Sequence, residues 1–195
     1  MYQKVFKRLI DIMMSLIGII LLSPILILVA LFIKFTSKGP VLFKQERTGK
    51  NNVPFSILKF RTMRIDTPKD IPTHLLENPD QYITSIGKFL RKTSMDELPQ
   101  LWNILVGDMA VIGPRPSLTT QYDLNALRDK NGASSVKPGL TGLAQISGRD
   151  ELEISIKAGI DGKYCEKITF VGDIKIFFKT FTSVLKSDGV QEGKS

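Results

Sequence analysis

Leu9–Phe35 reads LIDIMMSLIGIILLSPILILVALFIKF, a run that is almost wholly apolar. As one straight helix, Ile12–Ile33 would reach about 33 Å, enough for a hydrocarbon core of ~30 Å. The run is too long for the apolar part of a signal peptide, and no small-residue cleavage site follows it. Two features complicate a simple membrane span. Ser23-Pro24 sits in the middle, and proline removes a backbone donor and clashes with the preceding turn, which predicts a kink or break. Basic residues also flank both ends: Lys4, Lys7 and Arg8 before, Lys34, Lys38, Lys44 and Arg47 after. A spanning helix shows a Lys/Arg bias to one side. A re-entrant hairpin would have two arms, Leu9–Leu22 and Ile25–Thr36, each roughly 20 Å long and too short to cross. The residues alone leave both arrangements open. Asp11 lies three residues after Arg8, the spacing at which helical side chains meet, and an ion pair is expected there.

Around this segment the chain is basic. It has 195 residues, with 27 Lys+Arg against 19 Asp+Glu and a net charge of +8. That charge favours anionic partners: phosphorylated small molecules, anionic lipid or nucleic acid. Cys165 is the single cysteine and His74 the single histidine. No internal disulfide is possible, and a zinc site is disfavoured. Any metal would be a hard cation held by carboxylates.

The rest of the chain alternates short elements. Residues 41–49 and 53–63 carry the pattern of a β-hairpin. Residues 66–81 are rich in Pro and Asp and read as a surface loop. SIGKFLRKT predicts a short basic helix. ELPQLWNILVG predicts a helix with Leu98, Leu101, Trp102 and Leu105 at helical spacing, closed by Gly107. MAVIGPRP predicts a short strand entering a stiff loop, QYDLNALRDK a polar helix, and VKPGLTGLAQISGR a glycine-rich loop. Near the C-terminus Ile174, Phe177, Phe178, Phe181 and Leu185 share one helical face, flanked by Lys175, Lys179 and Lys186. Such a face suits a core or a bilayer surface.

Asp96 and Glu97, in TSMDELPQ, carry the chemistry. Pro99 belongs to a first helical turn, which puts the helix start near Asp96. Ser94-x-x-Glu97 fits a capping box, and acids near a helix N-terminus are stabilised by the dipole. The same place is an anion site, however, because free N–H groups and the dipole favour phosphate. A carboxylate there can attack phosphorus and form an acyl phosphate. Its neighbour can hold a divalent cation or move a proton. Such a site needs cations, and Lys59, Arg61, Arg91, Lys92, Arg115 and Arg149 are the candidates. Arg115 stands between prolines and Arg149 follows a glycine, settings that hold a side chain in place.

KFRTM, SMDELPQLWNIL-GDM, IGPRP and KPGLTGLAQISGR, in that order behind an apolar segment with Ser23-Pro24, resemble the bacterial sugar transferase family. These are the small monotopic phosphoglycosyl transferases of polyprenol-linked glycan synthesis. The resemblance runs from about Lys7 to Val190, and the length suits the minimal catalytic form. It implies an α+β fold, mainly helical, with a re-entrant membrane helix broken at Ser23-Pro24, a small β-hairpin and surface amphipathic helices. Residues 1–36 would be the membrane helix and 37–195 the cytoplasmic catalytic domain on the bacterial inner membrane. Asp96 would be the nucleophile, Glu97 its assistant, both near Mg2+, with Arg115 in the substrate-phosphate region. The implied partners are a UDP-sugar, polyprenyl (undecaprenyl) phosphate and membrane lipid, and not nucleic acid.

Two positions depart from the family pattern. Lys137 replaces an arginine before Pro138-Gly139, and a lysine clamps phosphate less well than a forked guanidinium. The aromatic pair near DGKYCEK is reduced to Tyr164 followed by Cys165, which bears on nucleotide or lipid contacts. The rival reading is a non-enzymatic, membrane-anchored basic module for anionic lipid or nucleic acid. That role needs the charge but not an Asp-Glu pair beside prolines.

Overall fold

The computed structural model describes residues 2–67, 78–148 and 152–186. A wide helical turn over Tyr2–Phe6 leads into helix α1, Lys7–Thr36. At ~1.5 Å per residue α1 is about 45 Å long. It is long and apolar enough to cross a membrane. The expected break is not there, because α1 continues through Pro24. Pro24 leaves the Ile20 carbonyl without its usual N–H donor. The Ser23 hydroxyl donates to that carbonyl at 2.8 Å and takes the missing donor's place.

One face of α1 packs inward along its length. Asp11, Ser15, Val29 and Ile33 are buried. Met14, Ile19 and Leu22 pack on a central core, and Leu26 and Ala30 on a second cluster. The other face stays apolar and exposed, with Leu16, Ile20, Ile27, Leu31 and Phe35 among its residues. The expected Arg8–Asp11 pair is replaced by longer-range bonds. Arg8 donates to the carbonyls of Ile104 (2.6 Å) and Leu105 (2.8 Å), and Asp11 accepts from the Val111 N–H at 2.9 Å. Backbone groups left unpaired at a helix end and along a short strand attract these charges more strongly than a neighbour in the same helix does.

Strands β1 (Leu42–Thr48) and β2 (Pro54–Phe60) form the expected antiparallel hairpin, with Leu42 opposite Phe60 and Thr48 opposite Pro54. Helix α2 spans Ser85–Lys92 and is capped by Thr84, whose hydroxyl accepts from Gly87 N–H at 3.0 Å. A single 3-10 turn, Met95–Glu97, precedes helix α3, Gln100–Val106. The capping box does not form. Ser94 is left-handed (φ 55°) and its side chain caps nothing, because box geometry needs an extended residue there. Gly107, at φ 106°, closes α3 as expected.

The inward face of α3 also differs from the sequence pattern. Leu101, Asn103 and Ile104 are buried, whereas Trp102 is 54% exposed. Asn103 earns its place by pairing with the free edge of β2. Its Oδ1 accepts from Leu58 N–H (3.0 Å) and its Nδ2 donates to Ser56 O (2.9 Å).

Strand β3 (Ala110–Ile112) pairs in parallel with β4 (Gly139–Thr141), Ala110 opposite Gly139. Part of the expected glycine-rich loop is therefore a strand. The backbones meet so closely that a Cβ at Gly139 would fall 2.1 Å from Gly113 N, and one at Gly142 would fall 2.0 Å from Gly113 O. Helix α4 (Tyr122–Lys130) is joined to α5 (Ile154–Glu166) by a buried Arg128–Asp161 pair at 2.6 Å.

Helix α6 (Phe170–Lys186) splits the aromatic face foreseen from sequence. Ile176 is buried and Phe177 packs on the core, while Phe178 and Phe181 face outward. The Leu185 side chain lies outside the described residues. The main core joins Ile57, Leu101, Ile104, Met109, Val111, Ile112, Tyr164 and Ile176. The second cluster joins Val29, Ile33, Phe60 and Leu90. The result is a mixed fold, mainly helical, with two small sheets and one long apolar helix laid along them.

Candidate active site

Four separate elements bring charge to one place. β2 carries Lys59 near its end. The left-handed turn at Ser94 swings Asp96 and Glu97 onto the 3-10 turn. The loop after β3 carries Arg115, and β1 carries Arg47. All of these, with Arg61 and Arg91, line one open cleft of about 1510 Å3. Of the residues singled out in the sequence, Lys59, Arg61, Arg91, Asp96, Glu97 and Arg115 therefore converge. Arg149 lies outside the described residues. Lys92 is exposed and does not line the cleft.

Glu97 is the hub. Its Oε1 accepts from Lys59 Nζ and from Arg115 Nη2, each at 2.7 Å. Arg115 Nη1 reaches Oε2 at 3.4 Å. Burial pushes the Glu97 carboxyl up, but Arg115 and Lys59 overcome that and hold it well below the usual carboxylate range. Two short charge-assisted bonds make this the dominant effect. Glu97 is thus held toward its anionic form by the two cations.

Asp96 lies in the opposite regime. Burial raises its carboxyl above the ordinary value, Lys59 opposes that, and the Glu97 charge adds to the rise. The ion pairs of Lys59 and Arg115 both end on Glu97, which leaves Asp96 as the more available carboxylate. Two adjacent acids pushed in opposite directions indicate divided roles.

Arg47 is the cation that sequence reading passed over, as one of several flanking basic residues. Its Nη2 donates to Gln45 Oε1 at 2.6 Å and its Nη1 to Pro116 O at 3.3 Å. Burial first, and Arg115 second, push its guanidinium down to about 10. The signal available in sequence was only its alternation with Gln45 on one face of β1. Arg91 is held by its Nε donating to Thr62 Oγ1 at 3.0 Å, and its charge reaches Asp96.

Arg61 is buried at 5% exposure. Its Nη2 donates to Ser37 O (2.8 Å) and Ser37 Oγ (3.0 Å), where α1 ends.

Two residues expected to matter for substrate are placed elsewhere. Lys137 does not line the cleft. Its Nζ sits with the Arg8 guanidinium beside Gly107, within 3.3 Å of where a Cβ there would be. The Arg-to-Lys departure therefore falls at the C-terminal end of α3, where any cation complements the dipole. Tyr164 is a core residue. Its hydroxyl bonds Ile112 O (3.2 Å) and Asp173 Oδ1 (2.9 Å), and Asp173 also accepts from Lys7 at 2.6 Å and Tyr2 at 2.7 Å.

As for a metal, no group of three His, Cys, Asp or Glu gathers among the described residues. Asp96 and Glu97 offer carboxylate oxygens only. That donor set suits a hard ion such as Mg2+, which binds through one or two carboxylates and completes its shell with substrate phosphates and water.

A family model described as Bacterial sugar transferase matches residues 2–187. The chain is 44% identical over 184 residues to the UDP-glucose:undecaprenyl-phosphate glucose-1-phosphate transferase of Klebsiella pneumoniae, covering 90% of this chain and 39% of that protein. It is 40% identical to the protein of the same description from Caulobacter vibrioides, covering 93% of this chain and 70% of that one. It is 34% identical to the exopolysaccharide production protein ExoY of Sinorhizobium fredii, covering 94% and 87%. The chain thus spans well under half of the Klebsiella relative and most of the Sinorhizobium one. With this match over nearly its whole length, and its ordered motifs converging on one cleft, the chain belongs to the bacterial sugar transferase family.

Proposed function

We propose that the chain is a phosphoglycosyl transferase, moving a sugar-1-phosphate from a UDP-sugar to polyprenyl phosphate with release of UMP. The activity by which the Klebsiella and Caulobacter relatives are described, UDP-glucose:undecaprenyl-phosphate glucose-1-phosphate transfer, supports this reading. The observation that carries it is the division of labour at the Asp96-Glu97 pair. Glu97 gathers Lys59 and Arg115, each at 2.7 Å, while Asp96 stands beside that charge cluster as the available nucleophile.

In the first step an Asp96 carboxylate oxygen attacks the phosphorus bonded to the sugar oxygen. The bond from that phosphorus to the bridging oxygen of UMP breaks, and UMP leaves with the electron pair. Lys59, Arg115 and Arg47 stabilise charge on the transferring and leaving phosphates. In the second step a phosphate oxygen of the polyprenyl phosphate attacks the same phosphorus. The Asp96 oxygen leaves as carboxylate, and a polyprenyl diphosphate sugar departs. Magnesium would be held by Asp96 and Glu97 and would neutralise phosphate charge. Removal of divalent ions with EDTA should abolish turnover and Mg2+ should restore it. Full activity in excess EDTA would refute the metal assignment.

Residues 1–36 serve as a monotopic anchor and 37–195 as the catalytic part. Support comes from both ends of α1 being bonded to the same polar body, Arg8 at one end and Ser37 at the other. Basic residues at both ends fit one cytoplasmic side of a bacterial inner membrane. The exposed Phe178 and Phe181 of α6 suit contact with membrane lipid. No observation favours the rival binding-module reading, which gives the gathered Asp96-Glu97 pair no task.

The decisive experiment supplies UDP-sugar without lipid acceptor. The protein should release up to one UMP per active site and gain the mass of a sugar phosphate on the peptide bearing Asp96. Added mass on another peptide, or none, would overturn the nucleophile assignment.

A further inference from the structure

Arg61 stands out within the cleft. The residue is only 5% exposed, yet only Nη2 has partners. Nε and Nη1 have no hydrogen-bond partner, and no carboxylate among the described residues pairs with the charge. A guanidinium carries five N–H donors, so about three are unused. A buried cation left in this state costs several kcal/mol, and a fold that keeps one is expected to complete it with an anion.

The surroundings say which anion. Arg61 continues the line of β2, its N–H donating to Val41 O at 2.9 Å. It therefore shares a strand face with Lys59, about 7 Å further along, and Lys59 holds Glu97. The other side of Arg61 abuts the end of α1 at Ser37. The last turns of α1 carry exposed Phe32 and Phe35, at 57% and 83% exposure. Gly39 leaves the guanidinium its space, since a Cβ there would lie 2.2 Å from Nη1. Ile65, 60% exposed, lies at the same spot, its Cγ2 2.6 Å from that Cβ position. One unfilled guanidinium thus lies between an apolar, lipid-type helix end and the Asp96-Glu97 turn.

We infer that Arg61 is the phosphate anchor for the lipid acceptor: its Nε and Nη1 hold the terminal phosphomonoester of polyprenyl phosphate at the end of α1, one strand step from the Lys59 that holds Glu97. The fork of a guanidinium matches two phosphate oxygens, which a lysine cannot do. The donor nucleotide uses the other end of the cation row, at Lys59, Arg115 and Arg47. This inference rests on the phosphoglycosyl transferase reading and adds a separate acceptor subsite to it.

The test measures binding, so that it does not depend on turnover. In full-length Asp96→Asn protein in neutral detergent, polyprenyl monophosphate and UMP are titrated separately. Arg61→Gln should weaken polyprenyl monophosphate at least tenfold while UMP affinity moves less than threefold. Retained UMP binding also reports that the variant is folded. If Arg61→Gln does not fold, Gly39→Ala decides, because its methyl crowds Nη1 and keeps the charge; it should produce the same selective loss. Two controls identify the source of the phosphate. Phosphatidylglycerol and unphosphorylated polyprenol should each compete at least tenfold less well than polyprenyl monophosphate. Equal losses for UMP and the lipid would place Arg61 in the donor site and overturn the inference. So would unchanged lipid affinity, or equal competition by phosphatidylglycerol. Failure of the underlying reading would show differently, as no saturable binding of either ligand to the protein without the Arg61 change.

Discussion

Asp96 and Glu97 are neighbours in sequence, and their opposite electrostatic settings yield opposite predictions. Asp96 is pushed up in the fold, so its charged form destabilises the native state above its folded value. Asp96→Asn removes that cost. Turnover should vanish while the melting temperature at pH 7 stays level or rises. A clear fall in melting temperature would show that Asp96 has a structural role. Glu97 is held down in the fold. Its stabilising contribution is complete above the ordinary carboxylate value of ~4.3 and is lost as pH falls from there toward the folded value. Glu97→Gln should therefore lower the melting temperature at pH 7, because Lys59, Arg115 and Arg47 lose their shared anion. That difference from wild type should narrow as the pH is taken below about 4. A gap that widens in acid would refute the assignment. Arg115 lies between two prolines and meets Glu97 through two nitrogens. Arg115→Lys keeps the charge and loses the fork, so turnover should fall at least tenfold, about 1.4 kcal/mol of transition-state stabilisation. Wild-type rates would mark it as a bystander.

At the level of elements, the site depends on how β2 is held against α3. Asn103 does this by bonding the Leu58 N–H and Ser56 carbonyl, and Lys59 is the next residue along. Asn103→Ala would strand both backbone groups, at about 1–3 kcal/mol for each buried group left unpaired. Chemical denaturation should show that loss, and turnover should drop although residue 103 does not line the cleft. The seat of α1 makes a parallel demand. Leu90 is fully buried between α2 and α1 with Ile33 and Phe60. Leu90→Ala should cost about 2–5 kcal/mol. A loss below ~1 kcal/mol would mean the α1 contact is loose, against the ordinary cost of such a cavity.

At the scale of the whole molecule, the seating of α1 sets how it meets the bilayer. A helix crossing outright must leave its partners, yet α1 is engaged from Arg8 to Ser37 by one body. Single cysteines introduced at Gln3 and at Lys38, in a Cys165→Ser background, should both resist an impermeant thiol reagent in intact cells and both react after permeabilisation. Labelling of either one from outside would sink the monotopic arrangement. Pro24→Leu returns an N–H donor to the Ile20 carbonyl, where Ser23 now donates. Any shift toward a crossing topology should appear as outside labelling in that variant first.

The apolar run, the hairpin, the helix end at Gly107 and, of the cleft cations, Lys59, Arg61, Arg91 and Arg115 were legible in the sequence, because each rests on a local cause. Length, two-residue alternation, a left-handed glycine and fixed charge all act within a few residues. What Asp96 and Glu97 do was not local. A capping box and a catalytic turn share one string, and the left-handed Ser94 that separates them is set by packing. The partners of Glu97 come from β2 and from the loop after β3, far along the chain. Likewise Pro24 predicts a break by its own chemistry, and a single hydroxyl beside it, with packing on both sides, keeps α1 continuous. Gly139-Leu140-Thr141 reads as loop until the close approach of Gly113 turns it into a strand. Sequence by itself determined which groups were available and where the chain could turn. Only tertiary structure decided which charges meet, since a 2.7 Å ion pair depends on the placement of two backbones that no short-range preference specifies.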